Sequence, residues 1–238
     1  EIEILDNGNT FIGKKRGTAS SENNIRITAD NFKYDKILNI LYADGKVIIN
    51  DNDNDTIIYT EEITYLKNEE LIFSKTRSKA TDTVSIIEGN EFEYNKISNE
   101  LNIVGNVIYK DTLNDYTILT EEITYFKNKE ILKTKGYTEA KLNTNYNFKS
   151  KDVTLLRNEM ELSSNQKSSI IDDKDSTFYR TERFKYFIND KILKGQNIQV
   201  ITNYSEPKSD TAFFKNGIFD FNKKIFNAKN TKIYFHNE

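Results

Sequence analysis

Two acidic pairs, Glu61-Glu62 and Glu121-Glu122, are the residues of this 238-residue chain whose type and spacing first suggest chemistry. Paired carboxylates can share a proton for acid–base work or hold Ca²⁺. Neither chemistry finds its remaining parts. Each pair precedes the same kind of triplet, Ile63-Thr64-Tyr65 and Ile123-Thr124-Tyr125, so the pairs recur as features of a repeat. Adjacent strand residues point to opposite faces, which separates the two carboxylates of a pair. They read as a solvated strand edge or corner. The single histidine, His236, sits near the last residue and cannot anchor a triad or a metal site. Cysteine is absent, which removes disulfides and thiolate ligands and leaves the compartment open. Nine scattered glycines form no phosphate loop. Lys14-Lys15-Arg16 could meet lipid phosphates, but a short basic run is first of all a solvated loop. No catalytic site, metal or cofactor is expected.

The elements that position these residues belong to a repeat. An apolar–polar–apolar triplet returns as Phe32-Lys33-Tyr34, Ile63-Thr64-Tyr65, Phe92-Glu93-Tyr94, Ile123-Thr124-Tyr125, Val153-Thr154-Leu155, Phe184-Lys185-Tyr186 and Phe219-Asp220-Phe221. Each is followed by an Asn suited to a turn: Asn39, Asn68, Asn99, Asn128, Asn158, Asn189 and Asn222. A fixed period of roughly 30 residues marks stacked units that bury a shared core. Between triplets the chain alternates, as in Ile25-Arg26-Ile27-Thr28-Ala29 and Leu41, Ala43, Gly45, Val47, Ile49, so each strand has one apolar face. The apolar parity slips between Ala29 and Phe32, which calls for a bulge or corner. Asp51-Asn52-Asp53-Asn54-Asp55 and Leu113-Asn114-Asp115 are turns. Two strands per unit give roughly fourteen or more antiparallel strands and no long helix. Tyr204-Ser205-Glu206-Pro207 interrupts the last spacing and reads as an extended loop, so residues 1–238 are expected to form a single repeat domain.

At 37% apolar and 30% charged the chain is polar, yet its 14 Tyr and 15 Phe are spaced too regularly for disorder. Net charge is −3 with signs interspersed, which argues against a nucleic-acid surface. No apolar run approaches the ~18 residues of a membrane helix. A polar exterior excludes an outer-membrane barrel, whose lipid-facing side is apolar. The opening Glu1-Ile2-Glu3-Ile4 lacks an initiator Met and a signal peptide, and the chain reads as a processed or excised piece. Stacked strands with one greasy side must fold over on themselves or bind something greasy.

Ile27-Thr28-Ala29-Asp30, Phe32-x-Tyr34-Asp35 and Ala43-x-Gly45-x-Val47 together resemble the OstA-like repeat of the lipopolysaccharide-transport family. The pattern returns as Glu91-Phe92-x-Tyr94-Asn95 with Gly105-Asn106-Val107, and weaker versions run through the other units. The family includes the periplasmic bridge protein LptA and the N-terminal domain of LptD. Seven units with an irregular last one look more like the LptD domain. The absence of Cys departs from the Cys pairs common in LptD proteins. The resemblance implies an all-β, folded-over stack of antiparallel strands, a β-jellyroll or β-taco, built from about seven repeats. It implies a periplasmic, non-catalytic conduit at the outer membrane, carrying lipopolysaccharide acyl chains along a hydrophobic groove. Implied partners are lipopolysaccharide, other Lpt bridge proteins through edge-strand pairing, and an outer-membrane β-barrel following in the same chain.

On this reading the groove is expected at Phe32, Tyr34, Ile63, Tyr65, Phe92, Tyr94, Ile103, Val107, Ile123, Tyr125, Phe184 and Tyr186, with Lys33, Thr64, Glu93, Thr124 and Lys185 facing out. Ile25, Ile27 and Ala29 are expected to form the open partner edge. The rival reading from the residues alone is a sealed core in a structural or adhesive β-solenoid stalk that binds protein.

Overall fold

The computed structural model describes residues 1–142 and 145–236. Among them strands dominate, and the helical segments are the single turns Asp6–Gly8 and Lys127–Lys129. The chain forms two compact units, residues 1–113 with 122–129 and residues 114–121 with 130–238. Both are built from antiparallel passes of the chain, two per repeat.

In unit 1, Ile25–Ala29 and Asn31–Asp35 make one pass, Ile40–Asp51 returns, and Thr56–Leu66 follows. Ile40–Asp51 pairs on one side with both short strands, Ile27 opposite Ile49 and Phe32 opposite Ala43, and on the other with Thr56–Leu66. The break between the two short strands is the corner announced by the parity slip. Asp30 sits in it, its N–H donating to the carbonyls of Asp44 (3.1 Å) and Gly45 (2.9 Å). Across from it the ladder shifts register between Asp44 and Val47, where Gly45 and Lys46 take φ of +79° and +49°. A Cβ on Gly45 would lie 2.7 Å from Cβ of Asp30, so that corner needs glycine. Gly105-Asn106 repeats the device against Asn90.

The corners of successive passes line up as a crease along which the sheet folds. A crease breaks backbone ladders, and short hydroxyl side chains fill in for them. Thr60, Ser74, Thr76 and Ser78 share hydrogen bonds of 2.9–3.0 Å there. Folding brings the turn at one end of the passes against the turn at the other. Asp51 and Tyr94 lie on strands three passes apart, roughly 14 Å along a flat sheet at about 4.8 Å per strand. Their side chains are nevertheless in hydrogen-bond contact at 2.6 Å. The Asn turns stack along one rim, Asn39 donating to Asn68 (3.0 Å) and Asn99 to Asn128 (2.9 Å).

Unit 2 repeats the plan. Tyr146–Lys151 and Thr154–Leu156 pair with Ile131–Leu142. Ser168–Asp172 lies between Tyr146–Lys151 and Thr177–Thr181. Ile192–Thr202 pairs with Thr211–Asp220, which carries Ile225–Lys229 and Lys232–Tyr234 on its far side. The segment around Tyr204–Pro207 is the loop between two of these strands. The crease again carries hydroxyls, Thr134 with Thr138 (2.7 Å) and Ser150 with Ser168 (2.8 Å).

The interiors differ in chemistry. Unit 1 buries Ile25, Ile27, Ile49, Ile58, Ile72 and Ile103 around the rings of Tyr65, Tyr94, Tyr109 and Tyr125. Unit 2 holds a run of rings, Phe148 against Tyr186 (4.8 Å), Tyr146 stacked on Phe221 (5.0 Å) and Phe214 against Phe226 (5.2 Å).

One expectation is corrected. Ile25–Ala29 is not an open edge, because it pairs with Gly17–Ser20 on one side and Ile40–Asp51 on the other. Ile25, Ile27 and Ala29 are buried. The unpaired outer strands of unit 1 are Gly17–Ser20 and Ile2–Leu5, the latter bonded to Thr10–Gly13 alone among the described pairings. Their small or irregularly alternating residues give no period-two signal, which is why the edge reads too far along the chain.

Candidate functional site

The apolar interior of unit 1 opens at its first passes into a cavity of about 540 Å³, walled by Phe11, Ile25, Ile27, Phe32, Tyr34 and Tyr65. Small residues make the space. Gly13 and Gly17 face the Phe32 ring, and a Cβ on either would come no nearer to it than 3.5 or 3.6 Å. Of the twelve groove positions, Phe32, Tyr34 and Tyr65 line this cavity, the first two half-buried. Ile63, Phe92, Tyr94, Ile103, Val107, Ile123 and Tyr125 are packed in the interior of unit 1, and Phe184 and Tyr186 in that of unit 2. Ile25 and Ile27 also line the cavity, while Ala29 is fully buried. Lys33, Glu93 and Lys185 are exposed, and Thr64 and Thr124 half-exposed on the outer face.

The basic run beside the cavity is engaged in exposed ion pairs, Lys14 with Glu3, Lys15 with Glu1 and Arg16 with Asp30. Glu61, Glu62 and Glu121 are exposed and Glu122 half-buried. Among the described residues no group of three or more His, Asp or Glu could hold a metal ion.

Deeper in unit 1 the two rims are locked by a polar cluster. The Tyr94 hydroxyl donates to Asp51 (2.6 Å), and Lys96 Nζ donates to Asp51 (2.9 Å) and Asp53 (3.0 Å). Asn54 donates to the same Asp51 oxygen as Tyr94 (2.8 Å), Lys96 taking the other, and Asn99 donates to Asn54 (2.8 Å). Lys127 closes the cluster on the Asn54 carbonyl and the Thr56 hydroxyl. Burial pushes the Asp51 carboxyl up, but the bonds from Tyr94, Asn54 and Lys96 outweigh it and hold the group below its ordinary value. Burial also opposes the charge on Lys96, and Asp51 and Asp53 more than restore it. Burial and the neighbouring Asp51 raise the Tyr94 phenol far above its usual range.

Unit 2 has its own opening, a cavity of about 330 Å³ among Tyr179, Val200, Phe214, Phe219, Phe226 and Phe235. At its polar end stand Asp172, Asp175 and Lys224. Asp172 occupies the place of Asp51, two triplets before Phe219-Asp220-Phe221 as Asp51 is two before Phe92-Glu93-Tyr94. Here Phe219 stands in the ladder place of Tyr94, opposite Leu193 as Tyr94 is opposite Ile72, Phe221 takes the place of Lys96, and no ammonium bonds the carboxylate. Asp172 is pushed up by burial and by the nearby charge of Asp175, the N–H groups of Asp175 and Lys174 offsetting only part of this. Burial and both carboxylates push Tyr146 up to about 12. Sequence reasoning identified none of this cavity's walls beyond the Phe219–Phe221 triplet. The available signal was the density of aromatics from Phe178 to Phe235, where triplet spacing is stretched.

A family profile described as lipopolysaccharide-assembly, LptC-related, matches residues 10–110. No curated protein matches the chain. Among solved structures, the chain is similar to LptH, the LptA-homologous periplasmic component of the lipopolysaccharide transport device from Pseudomonas aeruginosa. That similarity has 18% identity and a TM-score of 0.42, over 47% of this chain and 81% of that one. The matched segment 10–110 holds most of the open cavity's walls, the Gly45 and Gly105 corners and the Asp51 cluster apart from Lys127. Over residues 10–110, less than half of its length, the chain is similar to the LptC-related lipopolysaccharide-assembly proteins.

Proposed function

We propose that residues 1–238 act as one OstA-like repeat domain, a non-catalytic periplasmic module that carries lipopolysaccharide acyl chains toward the outer membrane. The observation that carries this reading is the cavity of about 540 Å³ lying mostly within the family-matched segment, walled by Phe32, Tyr34, Tyr65 and their neighbours. Each buried CH₂ is worth ~0.8 kcal/mol, so a chain of about twelve carbons gains roughly 9 kcal/mol before ordering costs. Along a conduit, similar shallow sites serve better than one tight pocket. The seven-unit length favours an N-terminal LptD domain over a free LptA-type bridge. Neighbouring Lpt proteins would dock on the unpaired outer strands, Gly17–Ser20 in unit 1 and Ile225–Lys229 with Lys232–Tyr234 in unit 2.

A second reading, a protein-binding stalk, draws on the packed interior at Phe92, Tyr94, Ile103 and Val107. It leaves the open cavity without a purpose. Photo-crosslinkers at Phe32, Tyr34 and Tyr65 should capture lipopolysaccharide in cells, and the exposed positions Lys33 and Glu93 should not. Equal capture at both sets, or none at either, would favour the stalk.

A further inference from the structure

Unit 1 shows what a carboxylate in the place of Asp51 requires. Asp51 is satisfied by an ammonium from Lys96 at 2.9 Å and a phenol from Tyr94 at 2.6 Å. In unit 2 the corresponding Asp172 is 4% exposed, and only the N–H groups of Lys174 and Asp175 reach it, both on one oxygen. Its second oxygen has no donor among the described residues. Phe219 supplies a ring where Tyr94 supplied a hydroxyl, Phe221, two residues beyond it, stands where Lys96 stood, and Lys223 bonds Asp220. Lys224 turns instead to Asp175 at 2.9 Å, at 67% and 38% side-chain exposure.

The surroundings point to what completes the site. Tyr179 lines the cavity at 8% exposure, and its hydroxyl has no hydrogen-bond partner among the described residues. It lies close enough to Asp172 and Asp175 to be raised by their charges, after burial. The cavity wall carries four carboxylates, Asp172, Asp175, Asp210 and Asp220, against the one ammonium of Lys224. The Tyr179 ring lies 5.7 Å from that of Phe219 and 5.4 Å from that of Phe221, and these rings offer π-faces. Carboxylates beside aromatic faces recognise organic cations.

We propose that the unit 2 cavity binds an alkylammonium amphiphile, its cationic nitrogen on Asp172 and Tyr179 and its chain along Phe214, Phe226 and Phe235. The ligand's ammonium takes the role that Lys96 plays from within in unit 1. This assignment is independent of the lipid taken by the unit 1 cavity.

The test compares dodecylammonium, dodecanol and dodecyl sulfate, each below its aggregation concentration, by titration calorimetry on the intact chain. Dodecylammonium should bind about tenfold or more tighter than the other two, the range expected for hydrogen bonds to a charged group. Asp172→Asn keeps the turn-capping oxygen and should remove that preference while leaving dodecanol binding unchanged. Phe219→Tyr should weaken the ammonium alone, by giving Asp172 the phenol that Asp51 has. Asp175→Asn serves as a second route should Asp172→Asn fail to fold, and should lower the preference several-fold. Equal affinity for dodecanol and dodecylammonium in the parent protein overturns the proposal. So does a preference that survives the folded carboxylate variants and Phe219→Tyr, because the ammonium would then sit elsewhere.

Discussion

Asp51 and Asp172 hold the same place in the repeat of two units and meet opposite fates. In unit 1 the carboxylate is bonded by Tyr94, Asn54 and Lys96, and its acidity is strengthened. In unit 2 Phe219 stands where the tyrosine was and Phe221 where the lysine was, the nearest ammonium belongs to Asp175, and the acidity is weakened. The crease, the alternation and the turns are shared, so the difference lies in a few side chains at the rims. It separates two uses of a folded-over sheet. Where the rim is locked, at Asp51, the interior is packed, and where it is not, at Asp172 as at the first passes of unit 1, an opening remains among aromatic rings. A repeat therefore fixes where a groove can be, and the rim residues decide where it is accessible.

The largest expected effect comes from removing the cation of the locked rim. Lys96 is 11% exposed and Asp51 1%, so Lys96→Met strands a buried charge. Such losses run to about 3–5 kcal/mol. Lys224→Met in unit 2 removes only a solvated pair, worth roughly 0–1 kcal/mol. Urea unfolding of the two variants measures both. Similar losses would erase the contrast between the rims.

A smaller effect follows from giving unit 1 the residue of unit 2. Tyr94→Phe keeps the packed ring and deletes the donor to Asp51, leaving Lys96 and Asn54 in place. A hydrogen bond to a charged group is worth about 1.5–3 kcal/mol. Thermal unfolding should show a loss in that range, with the Asp51 carboxyl rising toward its ordinary value in a side-chain NMR titration. A Tyr94→Phe variant as stable as the parent would mean that Lys96 alone locks the rim.

The strands, the crease and the inward register were legible in the sequence because they repeat. Ile25–Ala29 and Phe32–Tyr34 showed their parity slip in ten residues, and Asp30 with Gly45 answers it. The rim cluster was not legible. Asp51-Asn52-Asp53-Asn54-Asp55 reads as turn chemistry, and it is a turn, with Asp51 accepting the Asp53 N–H. Its other duty depends on Tyr94 and Lys96, 43 and 45 residues along the chain, which only folding over brings near. The unit 2 cavity escaped for a similar reason. Phe226, Ile233 and Phe235 follow the last triplet, and nothing local distinguishes a cavity wall from a packed core. The true outer strands, Ile2–Leu5 and Gly17–Ser20, escaped because an edge shields only one side of its residues from water and so leaves a weak alternation.

The subtlest test of the comparison is pH. Asp51 has a folded-state pKa below its unfolded value near 3.9, so its contribution is fully present above that value. It is lost as pH falls below about 4 and through the depressed folded value. Asp172 has a raised folded-state pKa, so the native state takes up its proton first. Its contribution is fully present below about 3.9 and is lost as pH rises through the raised value. Between neutral pH and about 4, acidification should therefore ease the strain at Asp172 while leaving Asp51 untouched. The chain has 37 Asp and Glu residues, so raw stability profiles mix many groups, and differences against matched variants isolate one. Relative to the parent, Asp172→Asn should be most favourable near neutrality, where it removes an uncompensated buried charge, and should lose that advantage as pH falls toward 4. Asp51→Asn should show a constant penalty over the same range and shed it only below about 4, where the parent's carboxylate protonates. Urea midpoints at half-unit pH intervals read both differences. If the two difference curves move together, the carboxylates share one environment and the two rims are not distinct.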